Sequence, residues 1–223
     1  LKSSRYCLLP LTPVAANNNS IQRLTEINSK LRMLVNGTSG ATQVSENIPN
    51  QIVFEDFSTH DFRNWSVEGP AFGQAPESSA LVIAKNGTSI QEVGGPNIAD
   101  SGVISNRLQG ALRSKSFVIT KPYILTHIGG TGCIMNVIVD GFQRIQDPIY
   151  GGLKYVPENE NSMEWHTQNV SKWIGHKAYI ELLDYGNGRI MLDRVLFSDI
   201  PQVRGYVSLP TKTVPINASL ISK

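Results

Sequence analysis

The chain has little of what most catalytic and metal sites are built from. Two cysteines occur in 223 residues, Cys7 and Cys133, too few for a zinc site or a haem-attachment motif. They leave open either one disulfide or a buried thiol at Cys133. Four histidines, His60, His127, His166 and His176, show no metal-ligand spacing. No Gly-x-Ser-x-Gly elbow, His-Glu-x-x-His helix or phosphate-binding loop is present. Apolar runs stay far below the roughly 20 residues of a membrane span. Lys and Arg number 20 against 18 Asp and Glu, a net charge of +2 with no basic block, which argues against nucleic acid or an anionic membrane as partner. The expectation is a protein that is not an enzyme.

What is present is strand and turn. Glycine at 19 and proline at 12 suit a loop-rich chain. Residues 1–50 read as a proline-punctuated arm, one helix and a polar linker. Asn17 to Ser20 offer helix caps, and Ile21, Leu24, Ile27, Leu31 and Leu34 recur at helical spacing until Asn36-Gly37. From Gln51 to Asp199 short strand signals follow one another, with 102–105 counted among them. This pattern predicts an all-β, antiparallel sandwich or jelly roll carrying a short N-terminal helix. Residues 200–223 read as an extension or linker. The chain opens on Leu1 without a signal-peptide pattern and reads as a piece of something longer.

The organising stretch is 172–199. Ala178, Ile180 and Leu182 alternate with Tyr179 and Glu181, the period-two mark of a strand with one face buried. Asp184 to Gly188 then predict a tight hairpin into a second strand, Arg189 to Phe197. Asp193 interrupts that apolar strand. Its carboxylate is solvent-facing, a hydrogen-bond anchor or a metal ligand.

The ordered series FEDFSTHDFRNWSVEGPAFG, SGVISNRLQGALRSKSFVI, YILTHIGGTGCIMNVIVDG and WIGHKAYIELLDYGNGRIMLDRVLFSD, within residues 52–199, resembles a galactose-binding-like β-sandwich. Such modules are appended to some family 32 glycoside hydrolases. The series resembles still more the equivalent module inside large planctomycete proteins that carry c-type cytochrome domains. No Cys-x-x-Cys-His occurs in this chain, so the cytochrome part does not carry over. The resemblance implies a jelly roll of the carbohydrate-binding type in a larger extracytoplasmic protein, with a glycan and neighbouring domains as partners. It also implies a possible structural Ca²⁺. Asp193 matches the last-strand carboxylate of such a site. On the first strand the expected glutamate falls on Ser58, and Asp56 is the carboxylate nearby.

Sugar binding calls for an aromatic platform ringed by polar groups. Trp65 reads as core and Trp173 as partly buried packing. Trp165, beside a polar loop, is the platform candidate, with Tyr150, Tyr155 and Tyr185 as alternatives. Arg144 could bond a carboxylate or a vicinal diol, or pair with a neighbouring Asp. His127, just before Gly129-Gly130, is a ligand contact or a satisfied structural histidine. Asp184 either joins the site or caps its turn. The expected function is non-catalytic glycan binding; a structural interdomain module is the alternative.

Overall fold

The computed structural model describes residues 18–36, 50–84, 86–95, 97–141, 153–203 and 212–215. One helix, α1 (Asn18–Asn36), precedes β1 (Gln51–Glu55), β2 (Trp65–Glu68), β3 (Ala80–Ile83), β4 (Ser89–Val93) and β5 (Ala99–Asp100). Then come β6 (Gln109–Ser114), β7 (Phe117–Val118), β8 (Tyr123–Thr131), β9 (Ile134–Val139) and β10 (Lys154–Tyr155). The last four are β11 (Asn159–Asn169), β12 (Lys177–Tyr185), β13 (Arg189–Ser198) and β14 (Lys212–Pro215). All pairings are antiparallel.

Two sheets form the sandwich. The first runs β1-β13-β8-β11, with β5 added to β13. The second runs β10-β9-β12-β6-β2, with β7 added to β12. Between them lies one continuous core. Ile124, Ile128, Ile190, Leu192 and Val195 of the first sheet meet Met135, Val137, Ile180, Leu182 and Leu112 of the second, all essentially buried. Fully burying each such side chain stabilises by about 1.5–3 kcal/mol. Trp65 is in this core and Trp173 packs against it, as expected.

The predicted hairpin at 184–188 is not one. β12 belongs to the second sheet and β13 to the first, so the turn is an arch that carries the chain across the core. Apolar alternation on both strands reports burial, but not which neighbour each strand bonds. The arch is pressed on the β8–β9 turn: a Cβ on Gly188 would stand 1.9 Å from the Thr131 carbonyl oxygen, so only glycine fits. The segment 102–105 is a turn rather than a strand, its place in the sheet taken by the two residues of β5. β4, β5 and β10 lacked enough apolar alternation to be anticipated.

A third layer covers part of the first sheet from outside. β3, β4 and β14 form a small sheet, and Ala80, Val82, Val93 and Ile98 pack with Met163 on the buried Met191. The helix joins this side. Arg32 pairs with Glu77 at 3.0 Å and donates to the Ser79 carbonyl at 2.9 Å, and the Asn28 amide donates to the Val103 carbonyl.

Candidate functional site

Three of the side chains singled out in the sequence, Asp193, His127 and Trp165, lie together on the outer face of the first sheet. A β-bulge in β13 explains this. The register shifts between Leu192 and Arg194, which sits opposite His127. Leu192 and Val195 both enter the core, so Asp193 and Arg194 share the outward side. There the His127 Nδ1 and Asp193 Oδ1 atoms lie 2.8 Å apart, with side chains 6% and 3% exposed. The Gly95 N–H donates to Asp193 Oδ2 at 3.3 Å. Trp165, opposite His127 on β11, lays its ring 5.0 Å from the imidazole. Gly94, Gly95 and Asn97, all at positive φ, form the loop that covers the pair. A buried, covered Asp–His pair beneath a half-buried indole is a structural anchor.

Of the cation trio, Asp193 has both oxygens engaged as described, while Asp56 Oδ1 accepts the Ser58 N–H at 3.0 Å in its own local turn. Glu55, next to Asp56, accepts the Phe57 N–H at 2.8 Å and the Trp65 indole N–H at 2.9 Å. Ca²⁺ takes about six to eight oxygen ligands, so these side chains would need backbone carbonyls beside them. No group of three or more His, Cys, Asp or Glu side chains able to hold a metal is present among the described residues.

Asp184 turns inward at the arch and is 2% exposed. It accepts the Gly186 N–H at 2.7 Å, the turn-capping role. Burial pushes its carboxyl up, against hydrogen bonds from Ser101, Gly186 and Cys133. Ser101 completes a buried knot by accepting the Ile190 N–H at 2.9 Å. Beside it the ion pair of Arg189 with Asp100, at 2.5 Å, reaches the Leu81 carbonyl and so ties the small sheet to the sandwich. Cys133 is a buried free thiol, its pKa raised chiefly by burial. Tyr185 faces the outside of the second sheet beside Gln109. Arg144, Tyr150 and Cys7 lie outside the described residues.

The more open polar surface is the outer face of the second sheet. Since Ile180 and Leu182 enter the core, Tyr179, Glu181, Leu183 and Tyr185 point away from it. Register then aligns Lys154, Asn136, Glu181, Arg113 and Ser66 in one row across β10, β9, β12, β6 and β2. Arg113 donates through Nε to Glu181 and through Nη1 to Glu68, each at 2.6 Å. The Asn136 amide donates to Glu181 at 3.3 Å, and its carbonyl oxygen is buried without a hydrogen-bond partner. Arg113 and Glu68 side chains are 35% and 55% exposed. The adjacent row is apolar: Ile134, Leu183 and Ala111 lie in register. Sequence reasoning missed this face because its residues come from five separate strands. Only the outward placing of Glu181 was visible.

At the open edge between the sheets, the Tyr155 and His166 rings stack at 3.8 Å. Burial lowers the His166 pKa, opposed by its contact with Gln168.

No family profile matches the chain, and no curated protein does. Among solved structures, a Lys85-to-alanine mutant of the family 29 carbohydrate-binding module CBM29-2 is 13% identical, over 67% of this chain and 91% of that one, with a TM-score of 0.35. The carbohydrate-binding module TmCBM61, solved with β-1,4-galactotriose, is 15% identical over 70% and 99%, with a TM-score of 0.36. The K2 cleaved adhesin domain of Lys-gingipain is 16% identical over 66% and 99%, with a TM-score of 0.38. Likeness at this level leaves the functional reading to the chain's own side chains.

Proposed function

We propose that this chain is a non-catalytic carbohydrate-binding module of a larger extracytoplasmic protein, and that it holds its glycan on the outer face of the second sheet. The observation that carries the reading is the pairing of two rows. Sugar rings present hydroxyls at their edges and C–H groups on their faces. Lys154, Glu181, Arg113 and Ser66 offer donors and acceptors for the first, and the partly exposed Ile134 and Leu183 offer apolar contact for the second. Binding needs no reaction, and Arg113 and Glu181 of the row are already held by an ion pair within the sheet.

The test is affinity electrophoresis through gels containing single polysaccharides. Retardation of the 223-residue chain, lost on Arg113→Ala while the protein stays folded by near-UV circular dichroism, supports the proposal. Retardation that survives Arg113→Ala places the site elsewhere. A second reading, a structural module docked against neighbouring domains, draws on the edge strand β1. Its Ile52 and Val53 are 51% and 55% exposed, more apolar surface than an edge strand usually presents. Absence of retardation by every polysaccharide favours that reading.

A further inference from the structure

We infer that the second-sheet face selects uncharged glycan chains lying across the strands, an inference that rests on the glycan-binding reading above. Three charged groups mark the row, Lys154, Glu181 and Arg113, and Glu68 stands at the β2 end of the adjacent row, opposite Ala111. The formal charge of these four groups sums to zero; Lys177, four residues from Glu181 along β12, lies outside both rows. The cation at its centre is already neutralised. Arg113 contacts one carboxylate on each side at 2.6 Å. A uronate or sulfate approaching Arg113 would have to displace Glu68 or Glu181, then remain beside a second carboxylate, and like charges at close quarters are penalised. A hydroxyl meets no such conflict because it donates and accepts. The guanidinium N–H groups not used by the carboxylates remain as donors. Glu68 and Glu181 accept.

The direction of the chain follows from the register. Polar groups succeed one another across five strands, a span of about 19 Å at the usual strand spacing, long enough for several pyranose rings end to end. The apolar row runs parallel to it, one residue pair away. A glycan running along the strands would cross both rows once and leave most of their groups unused.

The experiment compares gel retardation by hydroxyethylcellulose and galactomannan, both uncharged, with polygalacturonate, dextran sulfate and glycol chitosan, at low and at 0.5 M-range salt. Competition by a soluble disaccharide and hexasaccharide of the retarding polymer follows. Retardation by an uncharged polymer, insensitive to salt, with the hexasaccharide at least about tenfold the better competitor, is expected. Glu68→Lys should then add polygalacturonate retardation without loss of folding. Retardation only by a charged polymer, abolished by salt, overturns the inference and leaves glycan binding standing. Equal competition by the two oligosaccharides overturns the transverse lie. A folded protein retarded by none of the five polymers removes the glycan reading itself.

Discussion

The two outer faces of the sandwich carry much the same chemistry, carboxylates beside a basic group and an aromatic ring, at opposite degrees of access. On the first sheet, Asp193 and His127 are 4% and 5% exposed, beneath the Gly94–Gly95 loop and next to the small third sheet. On the second, the Arg113 and Glu68 side chains keep 35% and 55% of their surface. A covered, hydrogen-bonded pair is already occupied by its own partners and acts as an anchor. A half-open pair exchanges protein contacts for ligand contacts at little cost. The covering layer, not the residue types, separates anchor from site.

The sharpest way to break this contrast is Asp193→Ala. It takes the Asp193 partner from both His127 and the Gly95 N–H, and each buried group that loses a hydrogen-bond partner costs about 1–3 kcal/mol. Urea denaturation should show that loss, and the folded fraction should still be retarded by glycan gels. A small loss of stability with lost retardation would move the site to the first sheet. Trp165→Ala follows at about 2 kcal/mol, less than a fully buried aromatic would lose, because the indole is half-buried on His127. It too should leave retardation intact. Arg113→Ala inverts the pattern: exposed pairs contribute at most about 1 kcal/mol, yet retardation should vanish.

Acid sharpens the comparison at the edge between the sheets. The His166 pKa is lowered in the folded state from 6.5. The unfolded chain therefore binds the extra proton first, and stability present above 6.5 declines as pH falls below it. His166→Gln should flatten that part of a melting-temperature profile between pH 8 and 5. An unchanged slope would mean that burial beside Tyr155 does not discourage the charged imidazole.

Much of the sandwich was legible because strand alternation and core burial are the same physical fact. Ala178, Ile180 and Leu182 enter the core as read. Pairing partners were not legible. The arch at 184–188 has hairpin residues, since any tight reversal needs positive φ, whichever sheet receives the next strand. Trp165 and His127, singled out separately in the sequence, do meet. What covers them comes from Gly94 and Gly95, far away in sequence. The row of Arg113, Glu181 and Asn136 is the converse case: no local motif announces it, and only the register of four antiparallel pairings puts it in line.

The smallest effect expected is that of metal. The resemblance to calcium-holding sandwiches implied a cation on Asp193, and such an ion would stabilise the folded chain by mass action. In this chain the Asp193 oxygens face an imidazole at 2.8 Å and a backbone N–H at 3.3 Å. To coordinate a cation, the carboxylate would have to give up both. Asp56 could not easily replace it, because it closes its own turn with Ser58. Excess chelator should therefore leave the melting temperature unchanged within error, and added millimolar Ca²⁺ should not raise it. A reproducible drop on chelation, reversed by Ca²⁺ and absent in Asp193→Asn, would show that the ion displaces His127. The covered face would then be a metal site after all, and the contrast between the two faces would be one between two ligands.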